Sequence, residues 1–383
     1  MVGDNSHGGS LGSGARGAGD FNKPDGVPSG AHGQQTNTTA AGAPWLNDDE
    51  LIANLFAPLA EGHPASLGLL DDVALIDLAD GGQAVHQSVI STDSIVAGLH
   101  LPATADPADV AWKSLAVNVS DIVAKGAAPS FYLLNVAVPR RLDWGWLQRF
   151  AEGLAEAQKA FQVTLVGGDT DLLPFDTAPV FSIGVTMIGS LSDGAMVPRK
   201  GAQPGDKLVV TGPIGNAAIG LLLELDDGVA VDWPIPVTAR ENFLRAYTRP
   251  HPNLGVAGAL LAHAKASLDV SDGLVKDAFR LAKASGCGVQ LRAEHVPIGL
   301  PARLLVGSGT LKLEQLLSGG EDYCVAAAVA ADSFSAFEKA VAEAGSIAVD
   351  IGAFVEDPTC LTVLDGQGQP MEMTRTGWDH TGG

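Results

Sequence analysis

The sequence predicts two α/β domains behind an N-terminal tail that has no core of its own. Three observations carry that expectation. From residue 45 onward, apolar runs of strand length alternate with stretches of helical period, the order that builds mixed sheets covered by helices. Residues 191–206 read L-S-D-G-A-M-V-P-R-K-G-A-Q-P-G-D, a Gly/Pro/Asp-rich break that divides a domain at 45–190 from one at 207–383. Residues 1–44 hold eleven Gly and no apolar period, so they cannot bury enough surface to offset ordering entropy and are expected to be disordered.

The elements follow from local signals. Asn47 caps a helix running to about Leu59, with Leu51, Ile52, Leu55 and Phe56 on one face. Strands are expected at 72–78, 84–91 and 131–138. Asp106-Pro107 is an N-cap and first-turn pair for a helix that ends at Gly126. Asp143 opens another helix, with Leu147, Phe150, Leu154 and Phe161 at helical spacing. Strands follow near 162–167 and 180–189. The second domain gives a strand over Lys207–Thr211, helices over 216–224, 239–247 and 274–285, and strands near 288–292 and 323–330.

Composition narrows the function classes. There are 23 basic and 44 acidic side chains, a net charge of −21, where phosphate-backbone binding calls for clustered Lys and Arg; no nucleic-acid partner is expected. No stretch approaches ~18 uninterrupted apolar residues, and the N-terminus lacks the basic start and apolar core of a secretory signal. Cys287, Cys324 and Cys360 lie far apart, without the spacing of a zinc site or a disulfide framework. A cytoplasmic location is expected.

The acids are placed unusually. The run V-I-S-T-D (89–93) drives an apolar strand straight into two hydroxyls and a carboxylate, without a turn residue. The pattern recurs in Leu70-Asp71-Asp72-Val73, in Asn118-Val119-Ser120-Asp121, where Asn118 and Asp121 share a helix face, and in Gly167-Gly168-Asp169-Thr170-Asp171. It returns in Asp269-Val270-Ser271-Asp272-Gly273 and in Gly319-Gly320-Glu321-Asp322. Each alone reads as a cap or a turn. If they converge they repel, because two carboxylates ~4 Å apart at an effective dielectric near 20 cost about 4 kcal/mol. Cations relieve that repulsion. Hard oxygen ligands without His or Cys favour Mg²⁺, which shares its shell with phosphate oxygens, so a nucleoside triphosphate is the implied ligand.

No Walker A sequence and no kinase H-R-D or D-F-G set is present to hold it. The Gly12–Gly17 G-x-G-x-x-G stands without a strand before it and is rejected as a dinucleotide site. Gly-rich turns remain as phosphate cradles: Gly167-Gly168, and Gly212–Asn216 between a strand and a helix N-terminus, where close βα packing is an equal explanation. Arg199 is the cation assigned to phosphate.

As an ordered set, L-D-D-V-A-L-I, V-I-S-T-D-S-I-V-A-G-L-H, K-S-L-A-V-N-V-S-D-I-V-A-K-G-A-A-P, L-V-G-G-D-T, D-V-S-D-G-L, L-S-G-G-E-D-Y and G-W-D-H resemble the thiamine-monophosphate kinase family. That family lies within the superfamily of aminoimidazole ribonucleotide synthetase and selenophosphate synthetase, and the resemblance spans residues 47–380. It implies ATP-dependent, in-line phosphorylation of thiamine monophosphate with several Mg²⁺ ions. It also implies a homodimer whose N-terminal sheets close a barrel across the two-fold, with ATP near that interface. By motif position, Asp72, Ser91, Thr92, Asp93, Asp121, Asp169, Asp269 and Asp272 are the implied metal ligands. Gly168, Asp169, Arg199 and Ser271 are implied to contact ATP; His100, Glu321 and Trp378 are implied to hold the thiamine moiety, Trp378 by stacking on a cationic ring.

The chain departs from the family pattern at Leu70, where Gly is usual, at Lys125, where Met is usual, and at Asp171-Leu172-Leu173 after G-G-D-T. Two alternatives stand beside the kinase. One is aminoimidazole ribonucleotide synthetase, which G-G-E-D-Y and G-W-D-H fit poorly; the other is a non-catalytic Mg-nucleotide-binding module.

Overall fold

The structure, a computed structural model, describes residues 64–78, 86–139, 142–173, 181–192, 195–225 and 233–378. The tail at 1–44 and the helix expected over 47–59 lie outside the described residues. In chain order the first half gives β1 (Ala74–Leu78), β2 (His86–Val96), α1 (Pro107–Ala124), β3 (Ala128–Pro139), α2 (Trp144–Phe161), β4 (Thr164–Leu173) and β5 (Ser182–Ser190). Its sheet has the order β1-β2-β5-β3-β4. Neighbours are antiparallel except β3 and β4, which run parallel because α2 carries the chain back between them.

Two strands run further than expected, and both carry site residues. β2 does not end at Ser91; it pairs with β5 through Asp93 and on to Val96. Strand alternation is the reason no turn is needed. Ser91, Asp93 and Ile95 face the side covered by α1, and Thr92 and Ser94 face the opposite side. Likewise Gly167-Gly168-Asp169-Thr170-Asp171 is part of β4, paired to β3, and not a phosphate-cradling turn. Gly168 is required there because a Cβ would stand 1.9 Å from the Leu134 carbonyl oxygen. Among the described residues both β1 and β4 are open edges, so the sheet they form closes no barrel.

The spine of the molecule is α1. Asp106 caps it by accepting the Ala108 N–H at 2.8 Å, Pro107 occupies its first turn, and nearly every residue from Ala108 to Ala124 is buried. A helix apolar on all sides must be covered on all sides. β2, β5 and α2 cover one side, and elements of the second half cover the other. Its polar positions (Lys113, Ser114, Asn118, Ser120, Asp121) are therefore buried as well.

The second half contains β6 (Lys207–Val210), α3 (Asn216–Glu224), α4 (Val237–Thr248), α5 (Val256–His263), β7 (Ala264–Asp269), α6 (Leu274–Ser285) and β8 (Gly288–Arg292). It continues with α7 (Leu300–Gly307), α8 (Leu313–Leu317), β9 (Val325–Val329), α9 (Phe334–Glu343), β10 (Val349–Val355) and β11 (Leu361–Leu364). The sheet order is β11-β8-β10-β6-β9-β7, antiparallel but for β11 with β8. Segment 195–206 joins the halves as a fastened strap. Val197 N–H donates to the Lys125 carbonyl at 3.0 Å, and Pro198 accepts the Ser267 N–H at 3.0 Å.

Candidate active site

Three elements meet where α1 is sandwiched: β2, the polar face of α1, and the loops after β7 and before β9. Asn118 and Asp121 do share a helix face, and both are turned to β2. The Asn118 Oδ1 accepts the Asp93 N–H at 2.9 Å, and Asp121 accepts the Ser91 hydroxyl. One residue along the helix, the Ser120 hydroxyl donates to Asp269 Oδ2 at 2.7 Å, tying α1 to the end of β7. The result is a floor of carboxylates, with Asp121 and Asp269 buried and Asp93 exposed.

Its electrostatics follow from crowding. Asp93 reaches solvent, yet desolvation by its surroundings, then Asp272 and Glu321, push its carboxyl up to about 6. Burial first, then Asp269 and Asp93, push Asp121 well above the ordinary carboxylate range. Burial, with Asp277 and Asp93 adding to it, takes Asp269 to about 7. Asp272 differs. Burial raises it, but Arg280 at 2.6 Å and Lys276 at 3.0 Å hold its carboxyl below the usual value.

The implied substrate contacts gather beside this floor. The Lys113 ammonium, fully buried, pairs with Glu321 and donates to the His100 carbonyl at 3.1 Å. Tyr247 donates to the same carbonyl at 2.8 Å and offers its ring to Lys113 at 3.8 Å. Glu321 and Tyr323 are held at positive φ (66° and 48°), tied by their N–H groups to the carbonyls of Ser271 and Val270. Such strained residues cluster at functional sites. Gly320 in that loop has φ +74° and leaves 2.5 Å between an added Cβ and the Ser271 carbonyl, so no side chain fits. Trp378 is 39% exposed, its N–H bonded to the Asp272 carbonyl at 2.8 Å and its carbonyl accepting from Lys276.

Not every expected ligand joins. Thr92 lies on the opposite face of the sheet, its hydroxyl donating to the Val185 carbonyl at 3.0 Å. Asp169 pairs with Asn135, which pairs with Gly184, which pairs with Ser94; it stands three strands from β2 and on that same opposite face. Asp72 is engaged by Lys125 and Arg199. Ser271 lies in the loop after β7, where its N–H donates to Asp277. Arg199 turns to Asp72, although its buried Nε has no acceptor among the described residues. The α3 N-terminus is not an anion cradle: both Asp322 oxygens stand 2.9 Å from the Gly215 N, so a carboxylate of the chain already caps it.

Sequence reasoning passed over Lys113, Asp277, Arg280 and Tyr247. Lys113 had a signal, a lone charge inside the apolar period of Val110–Val117. Asp277 lies in the first turn of α6 and carries no such signal. Instead, one of its oxygens takes the N–H groups of Ser271, Asp272 and Gly273 at 3.0–3.2 Å and shapes the loop under the site.

Two α/β halves meeting over a carboxylate floor define the class: the family described as AIR synthase related protein matches with its N-terminal domain over residues 70–191 and its C-terminal domain over 203–362. Within that class, the thiamine-monophosphate kinase of Caulobacter vibrioides is 37% identical over 343 residues, covering 89% of this chain and 92% of the relative. That of Escherichia coli strain K12 is 32% identical over 336 residues, covering 86% and 97%. The solved structure "AaThiL complexed with AMPPCP and TMP" superposes with a TM-score of 0.72 at 26% identity, covering 88% of this chain and 97% of its own. The chain belongs to the thiamine-monophosphate kinase family. No described helix is long and apolar enough to cross a membrane.

Proposed function

We propose that this chain transfers the γ-phosphoryl group of ATP to the phosphate of thiamine monophosphate, forming thiamine diphosphate and ADP. The observation that supports the reading is the mutual electrostatic influence of Asp93, Asp121 and Asp269, with Asp93 also feeling Asp272 and Glu321. Near-full-length similarity to kinases named for this substrate supports it, as does the likeness to a structure holding an ATP analogue and TMP.

The donor set suits Mg²⁺. Among the described residues, no three His, Cys, Asp or Glu stand together tightly enough to ligate one ion by themselves. An ion that keeps waters and takes phosphate oxygens does not need them to. One or two of Asp93, Asp121 and Asp269 would hold it, the rest of its shell coming from water and phosphate. When bound, Mg²⁺ neutralises the charge that spreads over the transferring group. The chain supplies positioning: the Asn118 amide fixes Asp93, the Ser120 hydroxyl fixes Asp269, and the buried Lys113 holds Glu321 near the His100 carbonyl. The acceptor phosphate is already anionic and needs no general base. Trp378, 39% exposed, is the aromatic residue this reading assigns to stacking on the cationic ring.

A second copy of the chain would cover the open sheet. β4 is exposed along its length, and Phe131, Leu133, Leu165 and Val166 present an apolar surface there, 41–54% exposed. A homodimer with its barrel across the two-fold is the reading these edges support, and it is the arrangement that could bring Asp169 and Thr92 to nucleotide. A cytoplasmic location accords with three free cysteines and with ATP as co-substrate.

Metal and pH are coupled in this site. A carboxyl raised from 3.8 to about 6–7 in the fold leaves the native state protonated while the unfolded chain has ionised. These groups therefore cost no stability below pH ~4, and the loss accumulates until pH passes 6–7. In EDTA, their contribution to the melting temperature should fall from pH 5.5 to pH 8. Mg²⁺ should raise it more at pH 8 than at pH 5.5, and thermal scans at the two pH values read the difference. Equal Mg²⁺ responses would remove the metal from this cluster.

The activity itself is tested by offering ATP with thiamine monophosphate, other phosphomonoesters and formylglycinamidine ribonucleotide in turn. Thiamine diphosphate formation is expected. Turnover only of the ribonucleotide, or tight Mg·ATP binding with no product at all, would overturn the reading.

A further inference from the structure

We propose that the Lys125 ammonium is a built-in counter-ion that takes the place of a divalent cation at Asp71 and Asp72, so that Asp72 is not a metal ligand in this chain. The inference rests on reading the neighbouring acidic floor as a metal site. Lys125 caps α1 and is fully buried. Its ammonium lies 2.8 Å from Asp71 Oδ1, 2.8 Å from Asp72 Oδ2 and 2.9 Å from the Ser267 carbonyl oxygen. Of the three donors of an ammonium, two are bonded to Asp72 and to the Ser267 carbonyl, and Asp71 adds an ion pair.

The carboxylates are saturated in turn. Asp71 Oδ1 also takes the Asp72 N–H at 2.9 Å, and Asp71 Oδ2 takes the Arg199 N–H at 2.8 Å. Asp72 Oδ1 is paired with the Arg199 guanidinium. Every oxygen of the pair therefore has a protein partner, and the space between Asp71 Oδ1 and Asp72 Oδ2 holds a cation that cannot leave. Mg²⁺ needs bare oxygens at about 2.0–2.1 Å in octahedral array. The Lys125 backbone is pinned as well, its N–H to Ile122 and its carbonyl to Val197 on the interdomain strap. The residue thus fastens the strap to α1 while neutralising the acids beside it. Lys125→Met removes the charge but keeps the length, exposing two carboxylates to a cation from solution.

Metal counting tests this on the full chain. Mn²⁺ is titrated into wild type, Lys125→Met and Asp72→Asn with a non-hydrolysable ATP analogue present, and free Mn²⁺ is read by electron paramagnetic resonance. Lys125→Met should bind one ion more than wild type, and its EDTA-depressed melting temperature should recover with Mn²⁺. Asp72→Asn should bind the wild-type number. An unchanged count in Lys125→Met, or one ion fewer in Asp72→Asn, overturns the proposal. Should Lys125→Met fail to fold, Asp72→Asn decides alone. Phosphorylation of thiamine monophosphate by the same wild-type preparation is read separately, so failure of the kinase reading is distinguishable from failure of this count.

Discussion

Asp93→Asn should abolish phosphoryl transfer while leaving the fold intact. Its backbone N–H stays bonded to the Asn118 side chain, and β2 stays paired with β5 on both sides of it, so the new amide occupies the place of the carboxylate. What changes is charge. Asp93 is the group that feels Asp272 and Glu321 and acts in turn on Asp121 and Asp269, which puts it at the electrical centre of the floor. Removing it weakens the hold on any cation bridging to phosphate. Loss of one preorganised electrostatic partner of a transferring group costs on the order of 10²–10³ in kcat, and a metal ligand should stand at the upper end. The metal-free protein should melt no lower than wild type, because one source of mutual repulsion is gone. Steady-state kinetics at saturating Mg²⁺, with thermal scans in EDTA, check both halves. Near-normal turnover would mean that the cation is held elsewhere.

The same residue marks what could be read from the chain and what could not. The acids were legible because each interrupts an apolar run, and their number argued for convergence. That β2 continues through Ser91-Thr92-Asp93 was not, because four consecutive polar residues, Ser91 to Ser94, look like a strand end when both faces turn polar at once. α6 was expected at its observed bounds because Gly273 and Gly286 punctuate it on both sides. β7 was missed because Val256–His263 passes into Ala264–Asp269 with no turn residue, and A-K-A-S-L-D carries no β-branched signal. Tertiary pairing with β9 decides it. The counter-charges were least legible. Lys113 and Lys125 are separated in sequence from the acids they meet, by more than two hundred residues for Glu321 and by about fifty for Asp71 and Asp72. Only the burial of α1 on all sides brings them together.

Lys113→Met should be the costliest single change to stability in the site and should also damage substrate binding. The ammonium is fully buried, and burial pulls its pKa below the ordinary lysine value while Glu321 beside it opposes that shift. Removing one member of a buried pair strands the other, at about 3–5 kcal/mol. Glu321 is 20% exposed, so the lower end of that range applies. The Tyr247 ring and the His100 carbonyl lose the same partner. Glu321→Gln alone should cost less, since Lys113 can shed its proton. The double variant Lys113→Met/Glu321→Gln should be more stable than the sum of the singles predicts, because no charge is left uncompensated. Urea unfolding of the four proteins measures that coupling, and strictly additive costs would show the pair to be incidental. Kinetics add a second readout. His100 and Glu321 are held in one place through Lys113, so its loss should raise KM for thiamine monophosphate more than it lowers kcat, because binding is lost before chemistry. An unchanged KM would mean that His100 and Glu321 keep their places without Lys113.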